Sequence, residues 1–303
     1  MAERTLRLSI NETGAGAAAV FTFHVFLDDT PVASNQSLSS TQSHAVRELA
    51  WQYGQLFEQR ALPQLARAQL QTLGAQLFDL WLAHAWGRLS GKLGPGDQRV
   101  LVVASERPVV LNLPWELLRP AGGECVGADA KWSVRRFPWT DRQPAPAGAD
   151  LPAGPLRILH MVCAPQDLPE LDFERGEELL IRAISQAGHR VVFDSGDMGI
   201  FDELGQRIDE FLPHIVHLTG HARVGEDGAY FLFENERGTG EEHSATELGQ
   251  LFAGSGVQCA FLSGCQAGKA PPRAVLDGLA QGLLAEGVPL AVGWAASVGD
   301  DVA

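Results

Sequence analysis

From Ile158 onward, short apolar runs alternate with amphipathic segments, and few folds accommodate that pattern. Ile158–Cys163, Arg190–Phe193, Ile215–Leu218, Val257–Leu262 and Leu290–Trp294 read as buried strands. Between them, Glu170–Ala187, Phe201–Phe211, Ser244–Ala253 and Ala274–Glu286 carry apolar residues at helical spacing. Gly188 and Gly287 are placed to stop two of these helices, and Ser244 with Glu247 forms a capping-box pair. Tyr230–Glu234 reads as one arm of a hairpin. Strands separated by helices demand right-handed crossovers, hence a mostly parallel sheet with helices on both faces.

The first half is patterned differently. Leu6, Leu8 and Ile10 alternate with polar residues, and Val20–Leu27 is rich in Val, Phe and Thr, which predicts a hairpin through Asn11–Gly14. Residues 28–40 read as a polar loop, followed by helices over about 41–59 and 62–90. Leu70, Leu73, Leu77, Leu80 and Trp81 form a core-facing stripe in the second helix. Arg99–Ala104 is a further strand. Pro144, Pro146, Pro152 and Pro155, interspersed with Ala and Gly, mark a linker. The expected division is residues 1–150 and 151–303.

Charge and cysteine content narrow the function. Lys and Arg number 23 against 37 Asp and Glu, giving a net charge of −14, which disfavours direct binding to nucleic acid or an anionic membrane. Apolar residues make up 45% of the chain, enough for a large core and against wholesale disorder. No apolar stretch reaches about 18 residues, and no secretory leader is evident. Cys125, Cys163, Cys259 and Cys265 form neither a disulfide framework nor a Cys-x-x-Cys site. The expectation is a cytoplasmic protein with reduced thiols and no metal or cofactor.

Two predicted strand ends carry chemistry. One runs into Thr219-Gly220-His221-Ala222, the other into Ser263-Gly264-Cys265-Gln266-Ala267-Gly268. Carboxyl ends of parallel strands are where functional groups collect. An imidazole beside a thiol takes its proton or stabilises the thiolate, giving a strong nucleophile. The backbone amides of Ala222 and Cys265 are candidates to face a developing oxyanion. On spacing alone, the commoner case makes Cys265 a small buried hydrophobe and His221 a satisfied loop histidine, because both residue types occur often at strand ends. His217 and His221 are four apart, but on a strand rather than a helix and with no glutamate after the first, which argues against a zincin site. Gly14–Ala19 fits a dinucleotide fingerprint only superficially, because strand rather than helix follows it.

Three segments in order resemble the CHAT domain: Leu113-Pro114-Trp115-Glu116-Leu117-Leu118, Val216-His217-Leu218-Thr219-Gly220-His221, and Leu262-Ser263-Gly264-Cys265-Gln266-Ala267-Gly268. The resemblance covers most of residues 95–298. It implies a caspase-like cysteine peptidase, with His221 as catalytic histidine and Cys265 as nucleophile. It also implies an α/β fold: a mostly parallel sheet flanked by helices, preceded by a degenerate α/β subdomain in which Trp115 and Glu116 are structural. Ala222 stands where the family usually has Gly, and Gly264 where a small Ala is common. Asp167 and Asp194 are candidate substrate-pocket acids that would favour Arg or Lys before the cut, or solvated turn aspartates. Ser263 is a further pocket candidate.

The resemblance further implies a protein substrate and an activating sensor domain or partner, in a bacterial defence or cell-death-like setting. A catalytically inactive scaffold and a different thiol-dependent hydrolase or transferase are the competing readings. The chain stops soon after a strand-like run, so the second subdomain is expected to be incomplete at Ala303 and poorly active by itself.

Overall fold

The computed structural model describes residues 2–14, 19–58, 63–120, 122–141, 154–187, 190–225, 228–264, 269 and 278–294. Cys265, Gly188 and Leu276 lie outside the described residues, as does most of the proline-rich stretch. The chain divides into two compact units, Met1–Pro144 and Ala145–Ala303.

In the first unit, strand β1 (Glu3–Thr13) pairs antiparallel with β2 (Val20–Leu27), as the alternation predicts. Leu6, Leu8 and Ile10 are buried on one strand and Phe21, Phe23, Val25 and Leu27 on the other. Residues 30–37 are not loop but a third strand, β3 (Thr30–Ser37). Asp28 and Asp29 both take positive φ, 49° and 61°, in a two-residue turn of the kind that matches strand twist. Asp28 Oδ1 accepts from Thr5 N at 2.8 Å, which helps hold that conformation without glycine.

Three helices follow: α1 (Ser40–Glu58), α2 (Pro63–Trp81) and α3 (Ala83–Ser90). The single helix expected over 62–90 breaks at Leu82, which has φ −125°. The break has a packing cause. Continuing the Leu77–Trp81 stripe would turn His84 and Arg88 inward, whereas the break buries Leu82, Ala85 and Leu89 and leaves His84 and Arg88 exposed. Strand β4 (Gln98–Ala104), the short helix α4 (Pro108–Leu111) and strand β5 (Trp132–Phe137) complete the unit. Its sheet order is β3-β2-β1-β4-β5, with β1, β4 and β5 parallel. Trp115 is fully buried, donates its indole N–H to Val110 O at 2.8 Å and packs on Trp81 with ring centroids 5.9 Å apart. Glu116 makes a two-pronged pair with Arg136, whose guanidinium also donates to the carbonyls of Leu111 and Leu113. Both residues of this motif therefore organise the first unit.

The second unit opens with β6 (Leu156–Val162), α5 (Phe173–Ala187), β7 (Val191–Ser195), α6 (Phe201–Phe211) and β8 (Ile215–Thr219). Then come β9 (His221–Val224), β10 (Ala229–Glu234), β11 (Gly240–Ser244), α7 (Ala245–Phe252), β12 (Cys259–Ser263), α8 (Leu279–Ala285) and β13 (Leu290–Gly293). Five strands form a parallel sheet in the order β13-β12-β8-β6-β7, flanked by helices; this is a caspase-like α/β architecture. On one face Leu159, Met161, Val216, Leu218, Ala260 and Leu262 meet Leu204 and Ile208 of α6, Leu248 and Phe252 of α7, and Leu279 and Leu283 of α8. Strand alternation puts His160, His217 and Phe261 on the opposite face. Ser244 and Glu247 form both bonds of the capping box that starts α7. The strands β9, β10 and β11 make a separate antiparallel sheet, in which Tyr230–Glu234 is the central strand.

Candidate functional site

From β6 the chain crosses outward to the edge strand β7, then returns to β8 on the other side of β6. Strand order therefore reverses between β6 and β8, the position at which open parallel sheets carry their ligand crevice, at the strands' carboxyl ends. Two segments leave the sheet there: residues 163–170 after β6, and Thr219-Gly220-His221 after β8.

His221 is not in a turn, as the sequence suggests, but is the first residue of β9. Its backbone is opposite Leu232 of β10, so the small sheet fixes where the imidazole begins. The ring is held by a group with no side-chain signature, since His221 Nε2 lies 2.8 Å from the carbonyl oxygen of Pro169. A carbonyl only accepts, so Nε2 carries the proton and the neutral ring keeps Nδ1 as its open lone pair. This is the arrangement a general base needs, with one nitrogen oriented and, among the described residues, no partner at the other.

Ala222 follows. Gly225 N donates to Gly228 O at 2.8 Å, which sets the phase of the β9–β10 ladder. Bonded and non-bonded pairs alternate, so Ala222, opposite Phe231, turns its N–H and C=O away from β10. That free edge meets the end of β12. Ser263 lies opposite Thr219, and its carbonyl accepts from Gly220 N at 3.1 Å. Gly264 comes so close that an added Cβ would sit 3.2 Å from Gly220 O and 3.3 Å from Ala222 N. A residue without a side chain lets the two strand ends approach to this distance. Cys265, next in sequence, lies outside the described residues.

The two acidic candidates are placed apart. Asp167 is in the segment after β6, and its Oδ1 accepts from Gly240 N at 2.8 Å. Asp194 lies within the edge strand β7, not in a turn after it. Its side chain pairs with Arg207 at 3.6 Å. With β6 between β7 and β8, Asp194 is two strands away from the one that leads to His221. His221, Ala222, Ser263 and Asp167 therefore gather around the crevice, and Asp194 does not.

Beneath the crevice, His160 shares a hydrogen bond with Thr219 Oγ1 at 3.1 Å. Its ring lies 5.0 Å from that of His217, which meets Phe261 edge to face at 4.7 Å. Burial, and then the neighbouring His160, push His217 down to about 4, and burial also lowers His160. Both are neutral at physiological pH and act as packed, polar floor rather than as charged groups. Among the described residues, no cluster of three or more His, Cys, Asp or Glu could hold a metal ion. Among them too, no helix is long and apolar enough to cross a membrane.

No curated protein matches the chain. The model of the CHAT domain matches residues 59–303, well over half of the sequence. With its five-stranded parallel sheet and the three motifs in order, the chain belongs to the CHAT domain family, which is caspase-like and generally peptidase-like.

Proposed function

We propose that this protein is a cysteine endopeptidase in which His221 and Cys265 form the catalytic dyad. The observation that carries the reading is the His221–Pro169 hydrogen bond, which orients the imidazole through Nε2 at the switch point of the sheet and directs Nδ1, not Nε2, to the chemistry. The imidazole takes the thiol proton, and the Cys265 thiolate attacks the carbonyl carbon of the scissile peptide. The tetrahedral oxyanion is received by backbone N–H groups, with Ala222 supplying one from the free edge of β9. As it collapses, the C–N bond breaks and the imidazolium gives its proton to the leaving amine, which leaves a thioester. Water, deprotonated by His221, then attacks the thioester carbonyl. The acid is released and the thiol restored.

The substrate is a specific protein partner, and cleavage is under the control of a sensor domain or partner protein. That part of the reading rests on membership of the family. Cleavage is tested by exposing a proteome from the source organism to the wild-type protein, Cys265→Ala and His221→Ala, then sequencing the new amino termini. New termini in the wild-type sample alone support the proposal. The same termini with Cys265→Ala exclude this mechanism, and none in any activated state of the wild type favours an inactive scaffold.

A further inference from the structure

Three consecutive residues cross the whole small sheet above the crevice. Asp167 is bonded to Gly240 at the start of β11, and Pro169 is bonded to His221 at the start of β9. Leu168 lies between them, where a Cβ on Gly240 would touch both Leu168 Cδ1 and Leu232 Cδ2 of β10, each at 3.7 Å. The segment is pinned upstream as well. Ala164 N donates to Glu234 Oε1 at 2.9 Å, and Gln166 N donates to Gly238 O at 2.8 Å. Gly238 has φ +74°, and a Cβ there would strike the Gln166 side chain at 2.9 Å. The strap is therefore built onto the β10–β11 hairpin by several independent contacts. Of these, the Asp167–Gly240 bond is the side-chain hydrogen bond nearest in sequence to Pro169.

We infer that Asp167 is a positioning residue, whose carboxylate ties the strap to β11 and so holds the Pro169 carbonyl on His221 Nε2. Oδ1 is committed to the fold through the Gly240 amide, and it is this bond, rather than the reading of a basic substrate residue, that the inference assigns to Asp167. Position rather than charge is what the Gly240 amide needs, so an amide oxygen at the same place serves equally well. The catalytic consequence rests on the peptidase reading above, but the effect on the imidazole does not.

The test uses the full chain with Asp167→Asn, which keeps Oδ1 and loses the charge, and Asp167→Ala, which loses both. The first readout is the His221 tautomer, from long-range nitrogen–proton NMR of labelled protein above the imidazole pKa. Wild type and Asp167→Asn should show the Nε2–H form, and Asp167→Ala a mixture of both tautomers. An unchanged tautomer in Asp167→Ala overturns the inference, whether or not the protein cuts peptides. The second readout is turnover of a peptide substrate. Asp167→Ala should lower kcat about 10- to 100-fold, the scale of a misplaced catalytic group, with KM little changed. Asp167→Asn should restore most of the rate. A rise in KM for Arg-containing substrates in both variants would instead make Asp167 a substrate-reading residue.

Discussion

His160 and His217 sit directly opposite each other on the neighbouring strands β6 and β8, with ring centroids 5.0 Å apart and neither ring open to solvent along its whole edge. His160 Nδ1 and His217 Nε2 are buried without a hydrogen-bond partner among the described residues. Protonating either ring places a charge for which, among the described residues, the compensating group is the more distant Glu177 that acts on His160.

Stability should therefore fall in mild acid. The His217 value is lowered from 6.5 to about 4, so between those limits the unfolded chain binds a proton that the folded protein refuses. Folding is then penalised progressively as the pH drops from 6.5 toward 4 and is unaffected by this group above about 7. From pH 7 to pH 5 the His217 share is about 2 kcal/mol, and His160 adds to it in the same direction. Urea unfolding at pH 7, 6 and 5 measures it. His217→Phe should reduce the loss at pH 5 by about 2 kcal/mol. An identical pH profile in the variant contradicts the assignment.

The described thiols of the second unit should be inert. Burial, followed by the charges of Glu234 and Glu203, pushes the Cys163 thiol well up, and burial pushes Cys259 up to about 11. At pH 7 the thiolate fraction of Cys259 is about one in ten thousand. Peptide mapping after iodoacetamide treatment at pH 7 should find both residues unmodified in folded protein and modified in urea. Rapid modification of Cys163 in the folded protein would show that the crevice-side end of β6 opens.

Two helix glycines should respond with opposite signs. Nothing among the described residues lies within 4 Å of a Cβ built on Gly54 of α1. Gly54→Ala should therefore stabilise by about 0.5–1 kcal/mol through helix propensity. On Gly74 of α2 the same Cβ would collide with the Leu117 carbonyl oxygen, while Gly74 O accepts from Arg119 N at 3.1 Å. Overpacking of this kind costs about 1–3 kcal/mol and outweighs the propensity gain. Thermal unfolding of the two variants compares them directly, and a stabilised Gly74→Ala would contradict the packing of α2 on the 117–119 segment.

Much of this architecture is legible in the residues, and the exceptions have physical causes. The parallel sheet is readable because Ile158–Cys163, Ile215–Leu218 and Val257–Leu262 are dense apolar runs, as strands buried on both faces must be. Strand β3 (TPVASNQS) is an edge strand with Ala33 as its buried apolar residue, so no alternation announces it. Its turn uses Asp28-Asp29 in place of the glycine-containing pairs that signal such a hairpin. The kink at Leu82 is invisible because the apolar stripe runs on with only its phase changed. At the site, His221 and Ala222 stand out by residue type and flanking glycine. Pro169 does not, because a backbone carbonyl carries no side-chain signal, and Asp167 reads as a pocket acid until its partner on β11 is seen.

The central claim is that His221 activates Cys265. Its most direct test is the rate of covalent labelling of the full chain by an electrophilic peptide, with the modified residue identified by mass spectrometry. The account expects one adduct, on Cys265, formed at least 100-fold faster in the wild type than in His221→Ala. Labelling at the same rate without His221, or an adduct on another cysteine that persists in Cys265→Ala, would contradict it.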